Sequence, residues 1–220
     1  MQTVKLVSVT QGTGELLGKS AQELVAYTAR VSNPANQMNM ETAPKLIAYL
    51  IKNKHWSPFE MAHLTVEIVT SRAIAQQILR HRSFSFQEFS QRYAQATDFI
   101  KYDARRQDVK NRQNSIDDMS EEVKQWFIDA QTKVIESSEK LYKEALDKGI
   151  AKEQARFLLP LNTQTRMYMS GSIRSWIHYL ELRCGQGTQR EHKEIADLIK
   201  ALFIENLPDI SAALGWIENV

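Results

Sequence analysis

One cysteine, Cys184, is all that 220 residues contain. An intrachain disulfide is therefore excluded, as is any zinc site built on several thiolates, and a reducing compartment fits. Nowhere do about 18 apolar residues follow one another, so no membrane-spanning helix is expected. The opening stretch, MQTVKLVSVTQGTGELLGKS, lacks a basic segment leading into a long apolar run, and the expectation is a cytoplasmic, unanchored chain. An excess of one charge is missing too: 28 Lys and Arg stand against 26 Asp and Glu, for a net charge of +2. That balance excludes a basic arm or tail, so any cluster of cations is a local feature. The usual hydrolase elbow, zinc-protease helix and dinucleotide glycine motif are all absent. VSVTQGTGELLGKS comes close to a phosphate-binding P-loop, yet the spacing needs glycine at position 13, where Thr13 stands between Gly12 and Gly14. It reads instead as a turn feeding a capped helix.

What is present suffices for a substantial core, since 43% of the chain is hydrophobic. Alternation over Val4–Val9 predicts a short first strand, and Ser20 with Glu23 forms a capping box ahead of the next helix. A helix over Ala43–Lys54 follows, with Pro44 in its first turn. Ala62, Leu64, Val66 and Ile68 alternate with more polar neighbours, the pattern of a half-buried strand, and a helix capped by Ser71 comes directly after. Asp103–Asp118 has little to bury and reads as a long polar loop. From Glu121 to Lys148 the spacing of Val123, Trp126, Phe127, Ala130, Val134, Leu141, Tyr142 and Ala145 predicts the longest helix, its stripe turned to the core, with Gly149 ending it. A short helix from Lys152 to Pro160, a strand at TQTRMYMS, a helix over GSIRSWIHYLELR and two more over Gln189–Glu205 and Pro208–Ile217 complete the pattern. The simplest account is one α+β domain spanning residues 1–220, a small sheet with a bundle of helices.

Leu79–Ala94 concentrates Arg80, Arg82 and Arg92 with His81, Glu88 and four aromatic rings, and has neither glycine nor proline. Gln77, Arg80 and His81 share a helical face, while Arg80 and Arg82 project together only if the chain becomes extended. Beyond them Glu88, Ser90 and Arg92 alternate to one side. Arginine forks bind phosphate oxygens in a bidentate way, and a serine hydroxyl can complete the cradle. Three readings stand: a nucleotide site, a single-stranded nucleic-acid surface using segment 80–93, and a structural network of ion pairs. Glu88 favours a small ligand over a polynucleotide, because a carboxylate repels a phosphate backbone but accepts hydrogen bonds from a ribose or ring nitrogen.

RHRSFSFQEFS also resembles the signature of the flavin-dependent thymidylate synthases, Arg-His-Arg followed after seven residues by serine, here Arg80, His81, Arg82 and Ser90. KHWSPFE and ARFLLPLNTQTRMYMSGSIRSWIHYLELR resemble two further segments of that family, in the same order. The resemblance implies a mainly antiparallel sheet, a homotetramer with sites shared between subunits, and reductive methylation of dUMP to dTMP. Methylenetetrahydrofolate would give the carbon, FAD would carry hydride and NADPH would reduce the flavin. No nucleic-acid or membrane partner and no metal is implied.

Carried over position by position, the flavin site would comprise Ser57, Arg80, His81, Arg82, Glu88, Ser172, Ile173, Arg174 and His178. The dUMP site would comprise Gln77, the backbone around Ile78 and Leu79, Arg80, Glu88, Phe89, Ser90, Gln91, Arg92, Arg156 and Arg183. Arg183 would be the catalytic residue, stabilising charge on the pyrimidine. Cys184 reads as a small packed side chain rather than a nucleophile. Ser57, Met61, Gln87, Ser172 and His178 depart from residues common in the family at these places.

Overall fold

The computed structural model describes residues 2–96 and 98–217. Four strands, β1 (Thr3–Val9), β2 (His63–Ser71), β3 (Ser85–Glu88) and β6 (Gln164–Ser172), form an antiparallel sheet in the order β1-β2-β6-β3. Two-residue strands β4 (Arg106–Gln107) and β5 (Ser115–Ile116) make a separate ribbon. Helices α1 (Ala21–Ala29), α2 (Ala43–Lys52), α3 (Arg72–Ile78), α4 (Glu121–Asp147), α5 (Lys152–Ala155), α6 (Ile173–Arg183), α7 (Arg190–Asn206) and α8 (Pro208–Ala213) complete the order. None of the described helices is long and apolar enough to cross a membrane.

The central pair β2/β6 sets the layers. Its register places Val66 opposite Met169 and Ile68 opposite Met167, all fully buried, so one face of the sheet meets the helices. The other face carries a polar ladder, in which Thr65 donates to Ser170 Oγ at 2.8 Å and the Tyr168 hydroxyl to Glu67 at 3.0 Å. Both strands run into a helix with no loop between. Ser71 caps α3 and Ser172 caps α6, each accepting from a backbone N–H three residues on. Because the strands are antiparallel, α3 and α6 leave opposite ends of the sheet, and their apolar sides meet α7 beneath it.

Most elements follow the sequence pattern. The capping box forms, with Ser20 N–H donating to Glu23 at 2.8 Å, and Lys19 pairs with the same Glu23 at 3.2 Å. The lysine that mimicked a P-loop is thus tied to the helix beside it. Three expectations need correction. First, the stripe of α4 does not reach the core along its length: Tyr142 and Ala145 are buried, but Trp126 is 67% exposed, and Val123, Val134 and Leu141 are exposed too. Helical spacing reports that a stripe needs cover and not what supplies it. Second, 103–118 is no plain loop. Asp108 accepts from the backbone N–H groups of Lys110 and Asn111 and from the Asn114 amide, closing the β4/β5 ribbon, while Arg106 grips Asp118. Side-chain to backbone bonds replace burial there. Third, the chain turns rather than extends through Arg80–Ser83, and β3 stops at Glu88, so neither the Arg80/Arg82 pair nor Glu88, Ser90 and Arg92 alternate along a strand.

Candidate functional site

The end of α6 meets the turn after α3. Arg183 Nε donates to His81 Nε2 at 2.9 Å, joining residues 102 apart in sequence. Guanidinium nitrogens only donate, so His81 Nε2 is the acceptor and its ring proton sits on Nδ1. Burial, then the charge of Arg183 and then His178, holds His81 down to about 4, hence neutral. Behind it the Tyr179 ring meets His81 edge to face at 4.8 Å, and the Tyr179 hydroxyl shares a hydrogen bond of 3.0 Å with His192 Nε2. His192 is fully buried, with Nδ1 lacking a protein partner, and burial followed by the charges of Arg183 and His81 lowers it to about 3. Among the described residues, Arg183 makes no other side-chain hydrogen bond, so its two terminal nitrogens are open to a ligand.

Beyond β3 the second cluster gathers. Arg72 donates to Glu88 and to the Phe89 carbonyl, each at 3.0 Å, and Thr165 donates to Glu88 at 2.9 Å. Gln91 is buried with its amide nitrogen unpartnered. Ser90 Oγ accepts from the Arg92 backbone N–H at 3.3 Å. Arg92 then pairs with Glu153 at 3.2 Å, and Arg156 donates to the Glu153 carbonyl at 3.1 Å, so two predicted phosphate ligands flank one residue.

A third group lies at the start of α6. Arg174 pairs with Glu60 at 2.7 Å, bringing it to the 3-10 turn Ser57–Glu60 that holds the exposed Ser57. His178 is exposed on the same flank, as the four-residue spacing predicts. Ser172 faces the same junction, its hydroxyl used as the helix cap. Ile173 has a fully buried side chain and its N–H donates to the Ala62 carbonyl, so only its backbone carbonyl is left to meet a ligand. Ile78 is equally buried, leaving only backbone there and at Leu79. Arg80 and Arg82 are exposed and form no ion pair among the described residues, while Gln77 donates to Gln189 at 2.5 Å.

Two well-formed cavities among the described residues are lined by other residues than these clusters. The larger of the two, about 920 Å³, lies between the β4/β5 ribbon, Trp126 and the turn Gly185–Gln189, and none of the predicted site residues lines it. Cys184 is half-buried, and burial with a hydrogen bond to Asp197 pushes its thiol up to about 11, so it carries no thiolate near neutrality. The sequence reading missed Arg72, Thr165, Tyr179 and His192. Signals existed for three: Arg72 is a cation at a helix N-terminus, Thr165 holds an inward position in step with Met167 and Met169, and His192 sits in step with Ile195 and Ile199.

A sheet edge and a helix end thus carry arginine forks, one of them donating to a neutral histidine and two others exposed without an ion pair among the described residues. The comparisons are specific. The thymidylate synthase complementing protein family matches residues 15–209. A flavin-dependent thymidylate synthase from Synechocystis sp. is 56% identical over 215 residues, covering 97% of this chain and 99% of that protein. A relative from Paramecium bursaria Chlorella virus 1 is 54% identical over 216 residues, 98% of this chain and 100% of the other. A solved structure of the UMP/dUMP methylase PolB from Streptomyces cacaoi, bound with 5-Br dUMP, aligns with a TM-score of 0.84 at 26% identity, over 99% of this chain and 96% of that one. The chain belongs to the family of flavin-dependent thymidylate synthases.

Proposed function

We propose that the chain methylates dUMP reductively to dTMP, taking carbon from 5,10-methylenetetrahydrofolate, with FAD as its flavin and NADPH as reductant. The observation that carries this reading is the hydrogen bond from Arg183 to His81, which ties the proposed catalytic guanidinium to the arginine motif. The residues fit both ligands. Arg80 and Arg82 are exposed forks with no ion pair among the described residues, suited to a pyrophosphate, and the orphaned Gln91 amide offers a buried donor.

When bound, the flavin supplies the hydride chemistry. The protein's part is electrostatic. Neutral His81 accepts from Arg183 Nε and so aims the other guanidinium nitrogens, which stabilise negative charge on the pyrimidine as its carbonyl polarises. That charge makes C5 nucleophilic without a thiolate, consistent with the raised Cys184. Arg92 and Arg156 take the phosphate, and Ser57, Ser172, Arg174 and His178 line the flavin side. A second copy completes the assembly, supported by the face of α4 that leaves Trp126, Val134 and Leu141 uncovered. We assign a homotetramer with shared sites, each chain acting as one domain over 1–220, in the cytoplasm and with no nucleic-acid partner.

The purified protein should absorb at about 450 nm when loaded with flavin. It should also convert dUMP with the folate donor and NADPH. A protein that ignores added FAD and dUMP but binds oligonucleotides in a salt-sensitive way would instead be a nucleic-acid module.

A further inference from the structure

Arg72 occupies the first position of α3, where the helix dipole disfavours a cation, and it is only partly exposed. Its fork spans two successive residues. Nη1 donates to Glu88 Oε1 and Nη2 to the Phe89 carbonyl, both at 3.0 Å, while Nε is buried without a partner. Thr165, buried on the inner face of β6 beside Met167, sends its hydroxyl to the same Glu88 Oε1 at 2.9 Å. Both donors to the Glu88 carboxylate thus converge on one oxygen; among the described residues Oε2 receives none. Oε2 is therefore left free to accept from an O–H or N–H donor. Phe89 N–H donates to the Arg166 carbonyl at 2.8 Å, so the end of β3 is held from both sides where Ser90, Gln91 and Arg92 begin.

We propose that Arg72 and Thr165 are positioning residues for the nucleotide site, locking one oxygen of Glu88 so that the other meets a hydroxyl or ring N–H of a nucleoside monophosphate. This rests on the functional reading above. A purely structural role, pinning β3 to the sheet, would lower stability and leave affinity alone.

The test is calorimetric titration of dUMP into the FAD-loaded full-length protein, with thermal melting alongside. Thr165→Val should weaken dUMP binding about fivefold or more, as expected for a lost hydrogen bond to a charged group. Thr165→Ser should restore it. Arg72→Lys keeps the charge but not the fork and should weaken binding about tenfold. In a Glu88→Gln background Thr165→Val should change affinity by less than about twofold, because the threonine acts through that carboxylate. Wild-type affinity in Thr165→Val, or an equal loss in the Glu88→Gln background, overturns the positioning role. Failure of the wild-type protein to bind dUMP overturns the functional reading beneath it, a different result.

Discussion

Arg183 is held through one nitrogen by a histidine that stays neutral, so its charge is aimed without being cancelled. Replacing Arg183 with alanine should cut turnover by roughly 10²- to 10³-fold while melting temperature and flavin content hold. Cys184→Ala should leave turnover near wild type. Steady-state kinetics on both separates electrostatic from cysteine chemistry; a dead Cys184→Ala enzyme with an active Arg183→Ala would reverse the assignment. His81, partly buried, and His192, fully buried, also set a pH signature. His81 and His192 are depressed to about 4 and about 3 in the folded state, mainly by burial and then by Arg183. Below about 6.5 the unfolded chain takes up protons that the folded chain refuses, so stability falls as pH drops from about 6.5 towards 4 and levels off below about 3. Melting between pH 7 and pH 5, above the carboxylate range, should show the decline, and His192→Gln should flatten it. An unchanged slope in that variant would contradict the buried neutral histidine.

At the level of elements, the paired strand-to-helix junctions of β2/α3 and β6/α6 carry most of the candidate residues, and one glycine makes their packing possible. A Cβ on Gly171 would lie 2.5 Å from the Phe84 ring, which itself packs edge-on to Trp176 with centroids 4.6 Å apart. Gly171→Ala should therefore destabilise by about 1–3 kcal/mol. Adding Phe84→Leu should recover part of that loss in thermal denaturation; equal stability of the single variant would mean the approach is not tight. Strands and helices of this kind were readable, since Ser20, Ser71 and the Leu64, Val66, Ile68 alternation are local signals. The Arg183–His81, Arg72–Glu88 and Thr165–Glu88 contacts were not, because partners 102, 16 and 77 residues apart leave no periodicity. Likewise the 103–118 ribbon hid behind polar composition, its Asp108 bonds being conformational rather than hydrophobic. The arginine motif named candidates, and the fold adds the partners of some of them, His81 on Arg183 and Glu153 on Arg92, while Arg80 and Arg82 stay without an ion pair among the described residues.

For the whole molecule, the proposed assembly rests on the apolar face of α4, where Trp126, Val134 and Leu141 are exposed. Trp126→Glu should shift the protein to smaller species in analytical ultracentrifugation with helical content retained. A wild-type protein that sediments as a monomer would contradict the assembly. Mixing Arg174→Ala with Arg183→Ala chains, refolded together, should regain part of the lost turnover if the two groups serve one site from different subunits; no gain in co-assembled protein means self-contained chains. The central claim is that guanidinium groups from the motif and from α6 converge on one uracil nucleotide. A crystal structure with FAD and dUMP bound tests it most directly. The account predicts Arg183 terminal nitrogens within hydrogen-bond distance of the pyrimidine edge and the phosphate between Arg92 and Arg156; dUMP seated away from both would contradict it.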